Sequence, residues 1–288
     1  MKVSVTIYSF MQLISSGKKT PIECISIAKE MGFDAIEFVD FVFPEGCDRL
    51  EYARQLRAEC DRVGLPVSNY AVGADFLNGS NGDTAAEIAK TKENVDIAAI
   101  LGCPTMRHDI TAGPNPRLYK GYDNVLPQLA DAVREVAEYA ASKGVKTCTE
   151  NHGYFSQDSL RVEKLVNTVA HENFGLLCDI GNCLCADEDP VVAIGRTAPY
   201  AFYAHAKDFH IKDGNGPDPG EGFFTSRNGT YLRGAIIGQG NVPVLHCLRA
   251  LKRAGYDGTI SVEFEGMEDC LTGIRIGLAN MRKYISMI

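Results

Sequence analysis

The sequence predicts a single-domain α/β fold, a (β/α)8 barrel. Three observations carry this: eight apolar runs of strand length, amphipathic helical stretches between them, and glycine stops that recur just before strands. A chain of 288 residues is long for one ordinary domain, and barrels of this kind are the standard exception. An open doubly wound sheet is the alternative. Its dinucleotide fingerprint is missing, because "GQGNVP" at 238–243 is not GxGxxG and no strand runs directly into it.

Strands are expected at 3–8 (VSVTIY), 35–39 (AIEFV), 66–70 (PVSNY), 103–108 (CPTMRH), 145–150 (VKTCTE), 175–179 (GLLCD), 201–206 (AFYAHA) and 259–264 (TISVEF). The clearest helix lies near 124–142, where Leu126, Leu129, Ala130, Val133, Val136, Ala137 and Ala140 share one face. The last, from about 270, carries Leu271, Ile274, Leu278, Met281 and Ile285 on one stripe. In "KEMGFDAIEF", "DRVGLPVSNY", "ASKGVKTCTE" and "KRAGYDGTISVEF" a glycine stands where a left-handed helix cap is wanted. One segment breaks the rhythm: 207–240, rich in Gly and Asn, with Phe223, Phe224, Arg227, Tyr231 and Arg233. It follows strand seven, which puts it at the C-terminal face, over any active site. No domain boundary is visible within 1–288.

Composition narrows the function. The net charge of −8 disfavours nucleic acid as a partner. No apolar run approaches the ~20 residues of a membrane span. The start, "MKVSVTIYSF", reads as a strand rather than a secretory leader. Ten cysteines without a CxxC pair fit buried reduced thiols in a cytoplasmic protein. Only Cys178, Cys183 and Cys185 lie close enough in sequence to be tested as metal ligands.

In a barrel, catalytic groups come from the C-terminal ends of several strands. Strand five ends in Glu150, strand six in Asp179, strand seven carries His205 and strand eight carries Glu263. A lone strand-end carboxylate is usually a turn residue or a helix cap. Three buried near one another need a cation or protonation, and with an imidazole they make an oxygen-rich set for a divalent metal. Around them lie further candidates. His152 is read as a substrate ligand or accessory acid/base. Lys207 is read as an oxyanion stabiliser or carboxylate partner, ahead of Asp208. Glu37, Arg107 and His108 are read as substrate contacts or mouth salt bridges. His210 competes with His205, and Glu265 is the fallback fourth ligand. "GQGNVP" could cradle a phosphate, or be a tight loop with Pro243 at the helix start. Arg227 and Arg233 could meet an anionic or polyhydroxyl substrate, or solvent.

The segments "CTENHG", "LLCDIGNC", "HAKD" and "GYDGTISVEFEG" resemble the xylose isomerase-like TIM-barrel superfamily of sugar isomerases and epimerases. The resemblance spans essentially the whole chain and lies near the ketohexose 3-epimerases. It implies one divalent metal ion (Mn, Zn, Mg or Co) held by Glu150, Asp179, His205 and Glu263. It also implies Glu150 and Glu263 on opposite faces of a sugar. One takes the proton α to the carbonyl, giving an enediolate, and the proton returns at the other face or at the neighbouring carbon. The recognition residues depart from the 3-epimerase pattern. Asn182 stands where a substrate His is expected, Ile211 where an Arg is, and Ser156 where a Glu is. That argues against a free ketohexose. The substrate-binding set is therefore His152, Asn182, Lys207, His108, Arg227 and Glu37, and the partner a small carbohydrate. Self-association is left open. A lyase or hydrolase acting on oxidised (3-oxo) glycosides is the alternative activity, and a non-catalytic sugar-binding barrel a further one. A phosphodiesterase of the apurinic endonuclease type is opposed by only six His and the acidic surface.

Overall fold

The computed structural model describes residues 1–113 and 121–288. Seven strands of the barrel come in sequence: β1 (Lys2–Thr6), β2 (Ala35–Val39), β3 (Val67–Val72), β4 (Thr105–His108), β5 (Lys146–Glu150), β6 (Phe174–Asp179) and β7 (Ala201–Ala206). An excursion follows with β8 (Asp208–Lys212), β9 (Phe224–Thr225) and β10 (Tyr231–Ala235). The eighth barrel strand is β11 (Thr259–Val262). The parallel sheet closes: β11 lies between β7 and β1, with Val262 opposite Ala206 on one side and Val5 on the other. This is the expected (β/α)8 barrel.

The helices start and stop as local chemistry dictates. Thr20 and Glu23 form a reciprocal capping box at the head of helix Pro21–Met31. Asp48, Asp83, Asp158, Asp189 and Asp269 each accept an N–H from the first turn that follows. Gly32, Gly64, Gly144 and Gly255 have φ of 91°, 69°, 72° and 88°, the left-handed backbone that ends a helix before a strand. Helix Tyr122–Ser142 buries the predicted stripe from Leu126 to Ala140. In helix Cys270–Ile285, Ile274, Leu278 and Met281 are buried, while Leu271 and Ile285 are only partly covered.

Four strand limits differ from expectation by two residues, among them the end of the third strand, which runs on to Val72. The first strand stops at Thr6, because Ile7 and Tyr8 enter the 3-10 turn Ile7–Phe10 capped by the Thr6 hydroxyl. The fourth begins at Thr105, since the Cys103 N–H still bonds back to Ala98 O of the preceding helix. The eighth ends at Val262, although the Glu263 N–H still bonds to Ala206 O at 3.0 Å. The 207–240 segment is an antiparallel sheet, ordered β8-β10-β9, rather than open loop. Among the described residues no helix is long and apolar enough to cross a membrane.

Candidate metal centre and active site

The barrel places β5, β6, β7 and β11 side by side, so four strand ends converge. Glu150, Asp179, His205 and Glu263 each offer one ligand atom, and all four atoms lie within 4.8 Å of one another. His205 Nδ1 is 2.9 Å from Glu263 Oε2, 3.5 Å from Glu150 Oε1 and 3.8 Å from Asp179 Oδ2. Yet Asp179 Oδ2, His205 Nδ1 and Glu263 Oε2 are buried with no partner at hydrogen-bonding geometry. Buried polar atoms are seldom left so, and three aimed at one point fit a divalent cation with oxygen and imidazole ligands.

Neighbouring side chains hold each of these groups by its other atoms. His205 Nε2 donates to the buried Glu37 carboxylate, 2.9 and 3.0 Å from its two oxygens, which leaves Nδ1 for the cluster. Glu37 also accepts from Asn69 Nδ2 at 2.8 Å. Asp179 Oδ1 accepts the N–H groups of Gly181 and Asn182, both at 2.7 Å, which turns Oδ2 inward. Asn151 clamps the Asp179 backbone. It donates to Asp179 O and accepts from Asp179 N, each at 2.9 Å. Glu150 accepts from Asn182 Nδ2 on one oxygen, and pairs with Arg107 at 2.8 Å on the other. Arg107 continues to Asp109 at 2.8 Å, and Asp109 meets His152 Nδ1 at 3.0 Å. Lys207 lies 3.2 Å from both Glu263 and Glu265.

This crowding moves protons. Burial pushes Glu150 up, but Arg107 and His205 outweigh it and hold the carboxyl well below its ordinary value. Burial works the same way on Glu263, where Lys207 and His205 win and hold it near about 2. At Asp179 burial prevails over Lys207, and the carboxyl is pushed up to about 7. For His205, burial lowers the imidazole, while Glu37 and Glu263 more than reverse this and raise it well above its ordinary value. Two carboxylates are thus ionised beside a cationic imidazole, and the third carries the proton that a cation would displace.

A family model described as the xylose isomerase-like TIM barrel matches residues 25–284. The chain belongs to this family. An uncharacterised protein of Methanocaldococcus jannaschii is 25% identical, over 90% of this chain and 83% of its own length. The L-ribulose-5-phosphate 3-epimerase UlaE of Salmonella heidelberg is 23% identical, over 83% of this chain and 80% of its own. The structure of D-psicose 3-epimerase with D-tagatose, from Clostridium cellulolyticum H10, matches with a TM-score of 0.74 at 16% identity, covering 99% of each chain. That last likeness is one of fold. The family is one of sugar isomerase- and epimerase-like TIM barrels.

In this xylose isomerase-like barrel the cluster floors a pocket of ≈ 310 Å³. Glu150, Glu263, Lys207 and His152 line it, with Arg107 and Glu265. Other candidates fall elsewhere. Glu37 is fully buried beneath His205 and outside the pocket lining. Asn182 sits behind the wall, between Glu150 and Lys207, whose ammonium donates to its Oδ1 at 3.2 Å. His108 points outward, since Arg107 takes the inward position on β4 and neighbours alternate. It packs between Phe76 and Phe174, and burial lowers it to about 4. Arg227 is tied to Asp158 and the Tyr154 carbonyl, away from the pocket. Arg233 lies on β10 beside Phe223 and Glu268. His210 pairs with Arg233 in the excursion sheet.

The phosphate cradle at "GQGNVP" is excluded by its own hydrogen bonds. The N–H groups of Gly238, Gly240 and Val242 already donate to Asp208, at 2.8, 2.9 and 3.0 Å. Pro243 does precede the helix Val244–Arg253. The cysteines take no part: among the described residues the group able to hold a metal contains none. Sequence reasoning passed over Asp109, Tyr8, Asp40 and Phe41, all of which line the pocket. Asp109 stands just past β4 and could have been found as a strand-end carboxylate. Asp40, just past β2, carries the same signal, while Tyr8 and Phe41 lie in 3-10 turns that carry none.

Proposed function

We propose that this chain is a divalent-metal-dependent sugar or sugar-derivative isomerase or epimerase, working by proton transfer through an enediolate. One observation carries the reading: Glu150 and Glu263, both ionised, meet Asp179 and His205 in a buried cluster where three ligand atoms lack a hydrogen-bond partner, and the cluster opens into a sugar-sized pocket. Glu150, Asp179, His205 and Glu263 would hold the metal. When bound, it would supply positive charge to stabilise oxygens that become anionic as the proton leaves. Glu150 and Glu263 both line the pocket and both are held ionised, so each can accept a proton from a carbon beside a carbonyl. Arg107 fixes the orientation of Glu150, and Lys207 that of Glu263. Lys207 and His152 face the pocket and would bond substrate hydroxyls. Tyr8 and Phe41, edge to face at 5.8 Å, form an aromatic wall beside it.

Solvent-deuterium exchange tests the proposal. The metal-loaded protein is expected to place deuterium on the carbon α to the carbonyl of an accepted sugar. Glu150→Gln and Glu263→Gln are each expected to abolish that exchange. Exchange that persists in both variants, or in protein stripped with a chelator, would overturn the reading.

A further inference from the structure

The catalytic pocket continues past the metal cluster. Beside the inner cavity of ≈ 310 Å³ opens a second cleft of ≈ 430 Å³. The two share Asp40, Gly73, Asp109 and His152. Gly73 stands at the join, and a Cβ added there would meet nothing within 4 Å, so the passage is open. Pockets for small ligands run from ~300 to ~1,000 Å³. The inner cavity alone is at the bottom of that range, with room for one sugar ring. The outer cleft is the larger of the two.

Their linings differ in chemistry. Tyr8, Val39, Phe41 and Val72 give the inner cavity an apolar wall. The described lining of the outer cleft has no apolar side chain larger than alanine. It presents Asp40, Asp75, Lys90, Asp109, Thr111 and His152. Some of these are occupied. Asp75 accepts from the Leu77 and Asn78 N–H groups and from Thr111, and Asp109 is held by Arg107 and His152. Others retain capacity. Asp40 receives the Gly73 N–H on one oxygen at 3.2 Å, leaving the second. Lys90 is no nearer than 3.7 Å to Glu87, and His152 uses only Nδ1. An acceptor, a donor cation and a ring nitrogen are met together by hydroxyl groups, which donate and accept. An aryl group would desolvate them with nothing in return. A phosphate would face more carboxylates than cations among the described lining residues.

We infer that the outer cleft is a subsite for a second, neutral sugar unit. The substrate is then a glycosylated keto-sugar, with its reacting ring at the metal cluster and its second ring against Asp40, Lys90 and His152. This rests on reading the inner pocket as a sugar isomerase site.

Calorimetry on the manganese-loaded full chain tests it, with D-fructose as the reference. The compared ligands are turanose, maltulose and isomaltulose, which carry glucose on O3, O4 and O6 of the same ketose, and fructose 6-phosphate. Two or three added hydrogen bonds, discounted for the desolvation of Asp40 and Lys90, predict that at least one disaccharide binds about tenfold more tightly than fructose. Lys90→Ala and Ala112→Tyr, at exposed positions that line only the outer cleft, are expected to bring that affinity ratio back towards one. A ratio near one in the unaltered protein overturns the subsite. So does fructose 6-phosphate binding more tightly than every disaccharide, or a ratio unmoved by both variants. Deuterium exchange is followed separately. Its absence with every sugar would sink the isomerase reading, while the binding ratio still decides the subsite.

Discussion

At the scale of single residues, Glu37 decides how His205 is presented. The imidazole has two nitrogens, and the Glu37 carboxylate accepts the Nε2 hydrogen bond, so Nδ1 faces the cluster. Glu37→Gln keeps the shape and removes the charge. It is expected to weaken metal binding ~10–100-fold, measured by competition with a coloured chelator. An unchanged affinity would show that His205 needs no such partner. Asn151 acts on the backbone instead. Asn151→Ala strands the buried Asp179 N–H, which is expected to cost about 1–3 kcal/mol in urea unfolding of the metal-free chain. A loss within measurement error would mean that the Asp179 backbone holds its place unaided. The four cluster residues were legible in sequence, because the end of a barrel strand is a physical address. Side-chain direction was less so. His108 sits one residue from Arg107, and that single step turns it from the pocket to the outer face. The pairing of β2 with β3 shifts register between Ile36 and Glu37, an irregularity no periodicity in sequence announces.

At the scale of elements, the turn from β7 into β8 does two jobs with adjacent residues. Lys207 reaches into the pocket, while Asp208 turns away and collects the loop 238–242. Its carboxylate accepts four N–H groups, counting that of Phe209 at 2.9 Å. Gly240 fits because a Cβ there would come within 2.2 Å of Asp208 Oδ1. Asp208→Ala leaves those amides without an acceptor in a partly buried loop. It is expected to destabilise the chain by about 2–4 kcal/mol and to speed hydrogen exchange at Gly238, Gly240 and Val242. Exchange at the wild-type rate would show that the loop is held by packing alone. The insertion was legible as a break in rhythm. Its sheet was not, since the stretch 213–230 separates β8 from β10 and pairing across such a span leaves no local signal.

At the scale of the whole molecule, closure of the barrel creates an electrostatic problem that a cation would solve. The rhythm of strand, helix and glycine stop was enough to read the closed sheet, because each unit obeys local rules. What no local rule states is how three carboxylates share one buried point. Without a cation the fold keeps a proton on Asp179 up to about pH 7 and holds His205 as a cation, while Glu150 and Glu263 stay ionised. A metal that binds the cluster must therefore expel protons from Asp179 and His205, with none to take from the two glutamates. The direction follows: affinity rises as pH climbs through about 7 and falls below it. Calorimetric titration between about pH 6 and 8, in buffers of different ionisation enthalpy, is expected to read net proton release that shrinks as Asp179 loses its own proton. Since four adjacent strands offer the candidate ligands, a bound ion would tie them together. At a hundredfold excess over Kd it should stabilise the folded chain by ~2.7 kcal/mol, seen as a higher melting temperature. A melting temperature indifferent to manganese, zinc, magnesium and cobalt, together with zero proton release, would remove the metal from this site.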